Sequence, residues 1–183
     1  MAIPDSGFQF TMTQECGLEP DGSFRDKLIT DTDGGQTRFG VDSKSHPEAV
    51  GDGFYGMSKF DALKYAEAVY TDCYWTPAFA HGIQDQSLAT KFVDLAFNEG
   101  IEQATKLVQQ AINSCRSTVN QLLVDGRPGP ETIAAINAVD PHSLMDAIII
   151  YGQIFYTQLR DEHPERYSNF VLASWIKRLH TIP

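Results

Sequence analysis

The chain has 183 residues, of which 42% are hydrophobic, 11% aromatic and 21% charged. This ordinary globular composition excludes disordered, collagen-like and coiled-coil proteins, and the length fits one domain or two small lobes. Twenty-four acidic residues against fourteen Lys and Arg give a net charge of −10 with neutral histidines, which argues against nucleic acid as a partner.

The first part of the chain combines a short apolar helix, ending near Glu15, with a region rich in glycine. Residues 17–56 hold eight of the fourteen glycines and many acidic side chains. Glycine adopts positive φ angles at little cost, so loops, turns and short strands are predicted here.

From Ser58 onward, the spacing of apolar residues becomes helical. Ser58 and Asp61 are typical of a capping box at the start of a helix, which Pro77 is expected to end. Ser87 is predicted to cap the next helix, and Gly100 to end it. The helix after Gly100 has the clearest periodicity, with its apolar positions at Ile101, Ala104, Leu107, Val108, Ala111, Ile112 and Cys115.

Turn and proline signals place the last helices. Asp125-Gly126 indicates a turn, and Pro130 suits the first position of a helix. Asp140-Pro141 begins a longer helix that His163-Pro164 ends, and residues 170–179 form the last one. The predicted fold is therefore mainly α, or α+β: a helical bundle with a Gly-rich loop or small β region near the N-terminus.

The cysteines and the N-terminus bear on the compartment. Cys16, Cys73 and Cys115 are too widely spaced for a disulfide framework or a zinc site, so free thiols are expected. The N-terminus lacks the basic start and long apolar core of a Sec signal peptide, so synthesis in the cytoplasm is expected. The longest apolar run, 147–151, is far short of the roughly 18 residues that span a membrane, so no membrane insertion is expected.

An acid-rich pattern carries the candidate chemistry. Glu15 ends the apolar helix, and Asp31, Asp33 and Thr37 follow on a glycine turn. Glycoside hydrolysis needs one carboxylic acid, kept protonated by an apolar setting, to give a proton to the leaving oxygen. It also needs an ionised carboxylate that stabilises the transition state or directs a water. The residues alone leave open that Glu15 is a solvated acid and that both aspartates are ordinary turn residues.

Further motifs follow in a fixed order. They are Glu15-Cys16-Gly17, the segment 31–41, Tyr74-Trp75, and the segments 94–100, 124–132 and 173–179. In this order they resemble the glycoside hydrolase family 108 muramidases, with a predicted peptidoglycan-binding domain in the second half. The likeness runs from about residue 8 to residue 180. Cys16 departs from the family's glycine, and the family's Asp-x-Gly-Gly frame would fall on Thr32, between two acids.

The resemblance implies a lysozyme-like catalytic lobe at 1–85 and a helical peptidoglycan-binding lobe at 86–183, packed as one unit. It implies hydrolysis of the β-1,4 bond between N-acetylmuramic acid and N-acetylglucosamine, without a metal or cofactor. Bacterial peptidoglycan is then the partner.

The resemblance also implies roles for single residues. Glu15 is the general acid, Asp31 is the second carboxylate, and Asp33 is the alternative to Asp31. Thr37 holds the attacking water or binds sugar. The expected substrate-binding residues are Asp33, Phe39, Tyr74, Trp75 and Asn98. The sequence does not give the carboxyl separation that distinguishes an inverting from a retaining mechanism.

Several alternatives stay open. A bacteriolytic phage endolysin released through a holin, and an antimicrobial effector with secretion machinery and an immunity protein, both fit a monomer that acts on the wall in the periplasm or outside the cell. Other functions are a non-catalytic peptidoglycan-binding or virion module, and a lytic transglycosylase that forms an anhydro product. A basic strip at Arg160, Arg166, Lys177 and Arg178 is expected to offset repulsion from an anionic wall.

Overall fold

The computed structural model describes residues 1–31, 33–117, 119 and 121–183. Within them, the α-helices are α1 (Pro4–Cys16), α2 (Glu48–Gly51), α3 (Lys59–Val69), α4 (Gln86–Glu99), α5 (Ile101–Ser114), α6 (Pro130–Asn137), α7 (Pro141–Glu162) and α8 (Asn169–His180). A π-helix, Tyr70–Trp75, follows α3 directly, and short 3-10 helices lie at Phe54–Gly56 and Ala80–Gly82. The strands are β1 (Ile29–Thr30), β2 (Gln36–Arg38) and β3 (Val41–Asp42). The predicted mainly α fold with a small β region near the N-terminus is therefore confirmed.

Most helices begin where the sequence signals place them. Ser58 caps α3, and its hydroxyl accepts a hydrogen bond from a backbone N–H of the first turn at 3.2 Å. Pro130 is the first residue of α6. The prediction that Ser87 caps α4 is wrong, because the carboxylate of Asp85 accepts from the N–H of Leu88 at 2.9 Å. Asp85 stands three residues before Leu88, the spacing at which an N-cap side chain reaches a free N–H.

The strands form one antiparallel sheet in the order β1-β2-β3. Thr37 on β2 lies opposite Asp42 on β3. The turn between these strands contains Phe39 and Gly40, with φ angles of 48° and 73°. Positive φ at both central residues is the geometry of a tight hairpin turn, so β3 folds back directly onto β2.

Helix α4 lies at the centre of the core, and its residues 88–96 are all buried. α1 and α5 both pack against α4, α7 packs against α5, and α8 packs against α7. Gly100, with a φ of 81°, makes the turn that separates α4 from α5. This order brings the last helix back towards the first half of the chain.

Lys91 attaches the end of α8 to α4. Its side chain is fully buried, and its Nζ donates to the carbonyl oxygens of Leu179 at 3.1 Å and Thr181 at 2.6 Å. The carbonyl end of a helix carries a partial negative charge, which favours a cation there. Burial nevertheless lowers the pKa of Lys91 to about 8.

In the part of the chain that the structure describes, no single helix is long and apolar enough to span a membrane. Only α6 and α7 together reach that length and composition, across a bend of 118°.

Candidate active site

A cleft of about 320 Å³ lies between the C-terminal end of α1 and the sheet. Its lining residues are Glu15, Cys16, Arg25, Lys27, Ile29, Thr37, Phe39 and Gly40. The structure thus brings together three of the residues that the sequence singled out, namely Glu15, Thr37 and Phe39. Phe39 is almost fully buried, so it forms the apolar base of the cleft.

The end of α1 positions Glu15. The helix stops at Cys16, and Gly17 turns the chain away with a φ of 68°. The Glu15 side chain is 22% exposed, so it is half-buried at the edge of the cleft. Gly40 lies close to it: a Cβ at Gly40 would stand 3.1 Å from Cγ of Glu15 and 2.6 Å from the ring of Phe97. Only glycine lets the hairpin approach Glu15 this closely.

Arg178 of α8 binds the carboxylate of Glu15. Its Nη1 donates to Oε1 of Glu15 at 2.6 Å, and its Nη2 donates to Oδ1 of Asp94 at 2.9 Å. Thr11 also donates to Asp94, at 3.0 Å. Burial alone would lower the pKa of Arg178, but Asp94 and Glu15 raise it above its ordinary value. One guanidinium therefore joins α1, α4 and α8 and places a single positive charge between two carboxyl groups.

This ion pair corrects the expected basic strip on the C-terminal helices. Arg178 faces inward between two acids, with a side chain only 15% exposed. Arg160 donates to the carboxylate of Asp161 at 2.5 Å. A charge already paired within the fold contributes little attraction to an anionic surface, so the strip is reduced to Arg166 and Lys177.

Thr37 is held by Asp42, an acid that lies outside the sequence motifs. Its hydroxyl donates to Oδ2 of Asp42 at 3.2 Å across the β2–β3 hairpin. Burial opposes the charge on Asp42, but backbone N–H groups of Ser45 and Lys44, together with Thr37, lower its pKa. The signal for this pair was the Phe39-Gly40 turn, since a tight turn there places positions 37 and 42 opposite each other.

Asp31 and Asp33 lie at the tip of the β1–β2 hairpin. Nζ of Lys44 donates to both carboxylates at 2.8 Å. Hydrogen bonding by Lys44 is the main reason that the pKa of Asp33 is lowered. The structure describes both Asp31 and Asp33, and neither lines the cleft that contains Glu15. Thr32 lies outside the described residues, and the catalytic role of Asp31 stays a prediction.

The predicted sugar-binding residues of the later helices lie outside this cleft. Tyr74 packs its ring on Phe97, with centroids 4.8 Å apart. Trp75 is 2% exposed and belongs to the core. Asn98 donates to the hydroxyl of Tyr156 at 3.0 Å and lines a separate groove of about 400 Å³ between α1, α4 and α8. None of the described side chains of Tyr74, Trp75 and Asn98 lines the Glu15 cleft, and their substrate roles stay predictions.

Cys16 gives the cleft a neutral thiol. Burial, together with the charge of Glu15, raises the pKa of Cys16 to about 11. Its Sγ donates to the carbonyl of Met12 at 3.0 Å. Over residues 1–31, 33–117, 119 and 121–183, no three His, Cys, Asp or Glu side chains converge in a way that could hold a metal ion.

Comparison with known proteins bears on both halves of the chain. Residues 9–100 match the family model described as Glycosyl hydrolase 108, and residues 103–180 match one described as Predicted Peptidoglycan domain. The fold is similar to the structure of Brucella abortus SagA, with a TM-score of 0.61 and 14% identity over 96% of this chain and 93% of that chain. A search of curated proteins found no match.

The matched segments assign Arg178 and the two acids that it binds to different halves of the chain. Glu15 and Asp94 lie in the first segment, and Arg178 lies in the second. The first segment ends at residue 100, just after α4, and the second begins at residue 103, in the first turn of α5. The boundary predicted between residues 85 and 86 stays a prediction.

Proposed function

Because the chain belongs to glycosyl hydrolase family 108 and carries a predicted peptidoglycan domain, it is a glycosidase that acts on peptidoglycan, and we propose that it is an N-acetylmuramidase. The bond cut is the β-1,4 bond between N-acetylmuramic acid and N-acetylglucosamine. The observation that carries this proposal is the half-buried carboxyl of Glu15, which lies in a cleft beside a threonine hydroxyl.

Glu15 acts as the general acid. Within the described part of the chain, Arg178 binds Oε1 of Glu15, and Oε2 accepts no hydrogen bond. Oε2 is therefore the atom that carries the proton to the leaving glycosidic oxygen. The fixed contact at Oε1 holds the carboxyl plane in place, which reduces the entropy lost in reaching the transition state.

Thr37 and Asp42 orient the attacking water. Because the hydroxyl of Thr37 donates its hydrogen bond to Asp42, the Thr37 oxygen is free to accept one from a water in the cleft. Glu15 is the single acid among the described residues that line the cleft. A retaining enzyme needs a second carboxylate directly at the sugar, so this arrangement favours direct attack by water and inversion. The attacking water gives its proton to the hydroxyl oxygen of Thr37, whose own proton passes to the carboxylate of Asp42, the general base. Asp31 is the competing second carboxylate, from the family resemblance.

We propose lysis of the bacterial wall as the biological role. The enzyme acts in the periplasm or outside the cell, as a monomer. It serves either as a phage endolysin released with a holin or as an antimicrobial effector with secretion machinery and an immunity protein. Both roles require a bacteriolytic enzyme.

Mass spectrometry of digested peptidoglycan tests the proposal. A muramidase releases fragments that end in reducing N-acetylmuramic acid, whereas a lytic transglycosylase releases anhydro sugars and a binding module releases nothing. Glu15→Gln is expected to keep the fold and to lower the rate by roughly 100-fold or more. Glu102→Gln on α5 is the matched control, since Glu102 is exposed and pairs with Lys106 far along the chain from the cleft residues. Equal rates for Glu15→Gln and wild type would overturn the assignment.

A further inference from the structure

One side of the cleft is formed by alternate residues of a single segment. Arg25, Lys27 and Ile29 line the cleft. The residue between the two cations, Asp26, instead binds Arg38, a buried residue of β2. Side chains that alternate in this way belong to an extended chain, in which positions two apart share one face.

The intervening acid is neutralised within the fold. Nε and Nη2 of Arg38 donate to the two oxygens of Asp26 at 2.8 and 2.7 Å. Arg38 also donates to the carbonyls of Phe54 and Met57, so its guanidinium is fixed. The carboxylate of Asp26 is therefore turned away from the cleft, and Arg38 compensates its negative charge.

The two cations of the cleft are available to a ligand. Both side chains are exposed, and the carboxylate of Glu19 stands 3.9 Å from Nε of Arg25, at the outer limit of an ion pair. Lys27 forms no ion pair with any residue that the structure describes. In a chain of net charge −10, the cleft is thus a local exception with two cations and one acid.

Carboxylates are the natural partners of such a pair. Every second sugar of a peptidoglycan strand carries one or more: the lactyl carboxylate of N-acetylmuramic acid where the peptide stem is absent, or the acids of the stem where it is present. Polymers of N-acetylglucosamine alone are neutral. A cationic side of the cleft therefore distinguishes acidic from neutral glycans.

We propose that Arg25 and Lys27 form a carboxylate-binding wall that selects glycans with acidic muramyl residues over neutral glycans. This inference rests on the proposed function, because it concerns the substrate of the same cleft. Two residues in an extended chain span roughly 7 Å, so the pair offers two anchoring points along one strand.

Binding to catalytically disabled protein tests the wall. Glu15→Gln protein is titrated with stem-free strands, stem-bearing strands, stem-bearing strands whose carboxylates are capped as methylamides, and a neutral N-acetylglucosamine hexamer. Adding Arg25→Gln and Lys27→Gln is expected to weaken binding of at least one uncapped strand by about 10-fold. This loss of affinity should be smaller at high salt. The affinity for the capped and the neutral glycans should stay unchanged. Arg25→Lys with Lys27→Arg should retain binding.

Lys106→Gln is the matched control, because it removes one positive charge from α5. Among the residues that the structure describes, Lys106 forms an ion pair only with Glu102. A loss confined to stem-free strands identifies the lactyl carboxylate, and a loss confined to stem-bearing strands identifies the stem. An unchanged affinity for all strands, or an equal loss for capped and neutral glycans, would overturn the inference. Cleavage is measured separately with Glu15 intact, so failure to cut any glycan counts against the hydrolase proposal alone.

Discussion

Arg178 donates a hydrogen bond of 2.6 Å to Glu15, although 163 positions separate the two residues in the sequence. One lies in the segment that matches the glycosyl hydrolase and the other in the segment that matches the peptidoglycan domain. The second half of the chain therefore contributes a side chain to the candidate active site as well as packing against it.

Replacing Arg178 is expected to slow catalysis more than it weakens substrate binding. Arg178→Gln leaves Asp94, whose side chain is 3% exposed, as an unpaired buried charge, so we expect a loss of about 3 kcal/mol in the free energy of unfolding. Arg178→Lys keeps the charge but cannot bridge both acids, and kcat should fall about 10-fold with a smaller change in KM. Steady-state kinetics and thermal unfolding measure the two effects.

Two controls separate positioning from folding. Lys177→Gln changes the neighbouring residue of α8 and should leave kcat near that of wild type. In a Glu15→Gln background, Arg178→Lys should cause no further loss of residual activity, since Arg178 acts through Glu15. A full additional loss in that background would indicate a merely structural role.

The identity of the second acid can be decided by three parallel substitutions. Asp42→Asn removes the charge that orients Thr37 and is expected to lower kcat by roughly 10-fold or more. Asp33→Asn, at the exposed hairpin tip, should have little effect. Asp31→Asn tests the assignment from the family resemblance. If Asp31→Asn proves more damaging than Asp42→Asn, the water-orienting role proposed for Thr37 and Asp42 is wrong.

Gly40 and Gly53 offer a matched pair of glycines. Their φ angles are 73° and 72°, so alanine should cost about 1 kcal/mol of stability at either position. A methyl group at Gly40 would also collide with Phe97 and press on Glu15, whereas nothing lies within 4 Å of one at Gly53. We expect Gly40→Ala to lower kcat by at least about 10-fold and Gly53→Ala to preserve it. Equal kcat values in the two variants would contradict the close approach.

The ion pair between Asp26 and Arg38 should make stability depend on pH. Hydrogen bonds from Arg38 are the main reason that the pKa of Asp26 is lowered. A folded-state pKa below the unfolded value of about 3.9 means that the stabilisation is complete above that pH and is lost as the pH falls through the folded pKa. Asp26→Asn should cost about 2 kcal/mol at pH 7.

Denaturant unfolding of wild type and Asp26→Asn at several pH values measures this effect. The difference in unfolding free energy should be largest near neutral pH and should shrink on acidification. A difference that stays constant down to pH 2 would show that the carboxylate charge of Asp26 is not the source of the stabilisation.

The helices could be predicted because their signals are local. Ser58 and Pro130 mark helix starts through bonds or φ angles within one turn, and apolar spacing then shows the length. Glu15 could be selected through the family resemblance, because its place near the end of a helix leaves open that it is a solvated acid. The prediction for Ser87 was wrong because Asp85, two residues earlier, is an equally good N-cap, and the sequence does not show which of the two caps the helix.

The rest of the site depends on contacts that the sequence does not contain. Nothing near Arg178 in the chain indicates that it reaches Glu15, because that contact depends on how α8 packs. Likewise, periodicity places Trp75 at a helix end but does not say whether its ring faces the core or a cleft. Asp42 can be recognised as the partner of Thr37 only from the register of the β2–β3 hairpin, which places the two residues opposite each other.

The two anchors of α8 make unequal demands on its sequence. Lys91 donates hydrogen bonds to main-chain carbonyls, which any residue supplies. A helix from another protein, grafted in place of α8, would therefore still bind Lys91. Arg178 has no such substitute, because only a forked cation reaches both acids. Hybrids that carry the last helix of a distant relative should therefore fold in most cases. They should cut glycan only when that helix has an arginine at the position of Arg178.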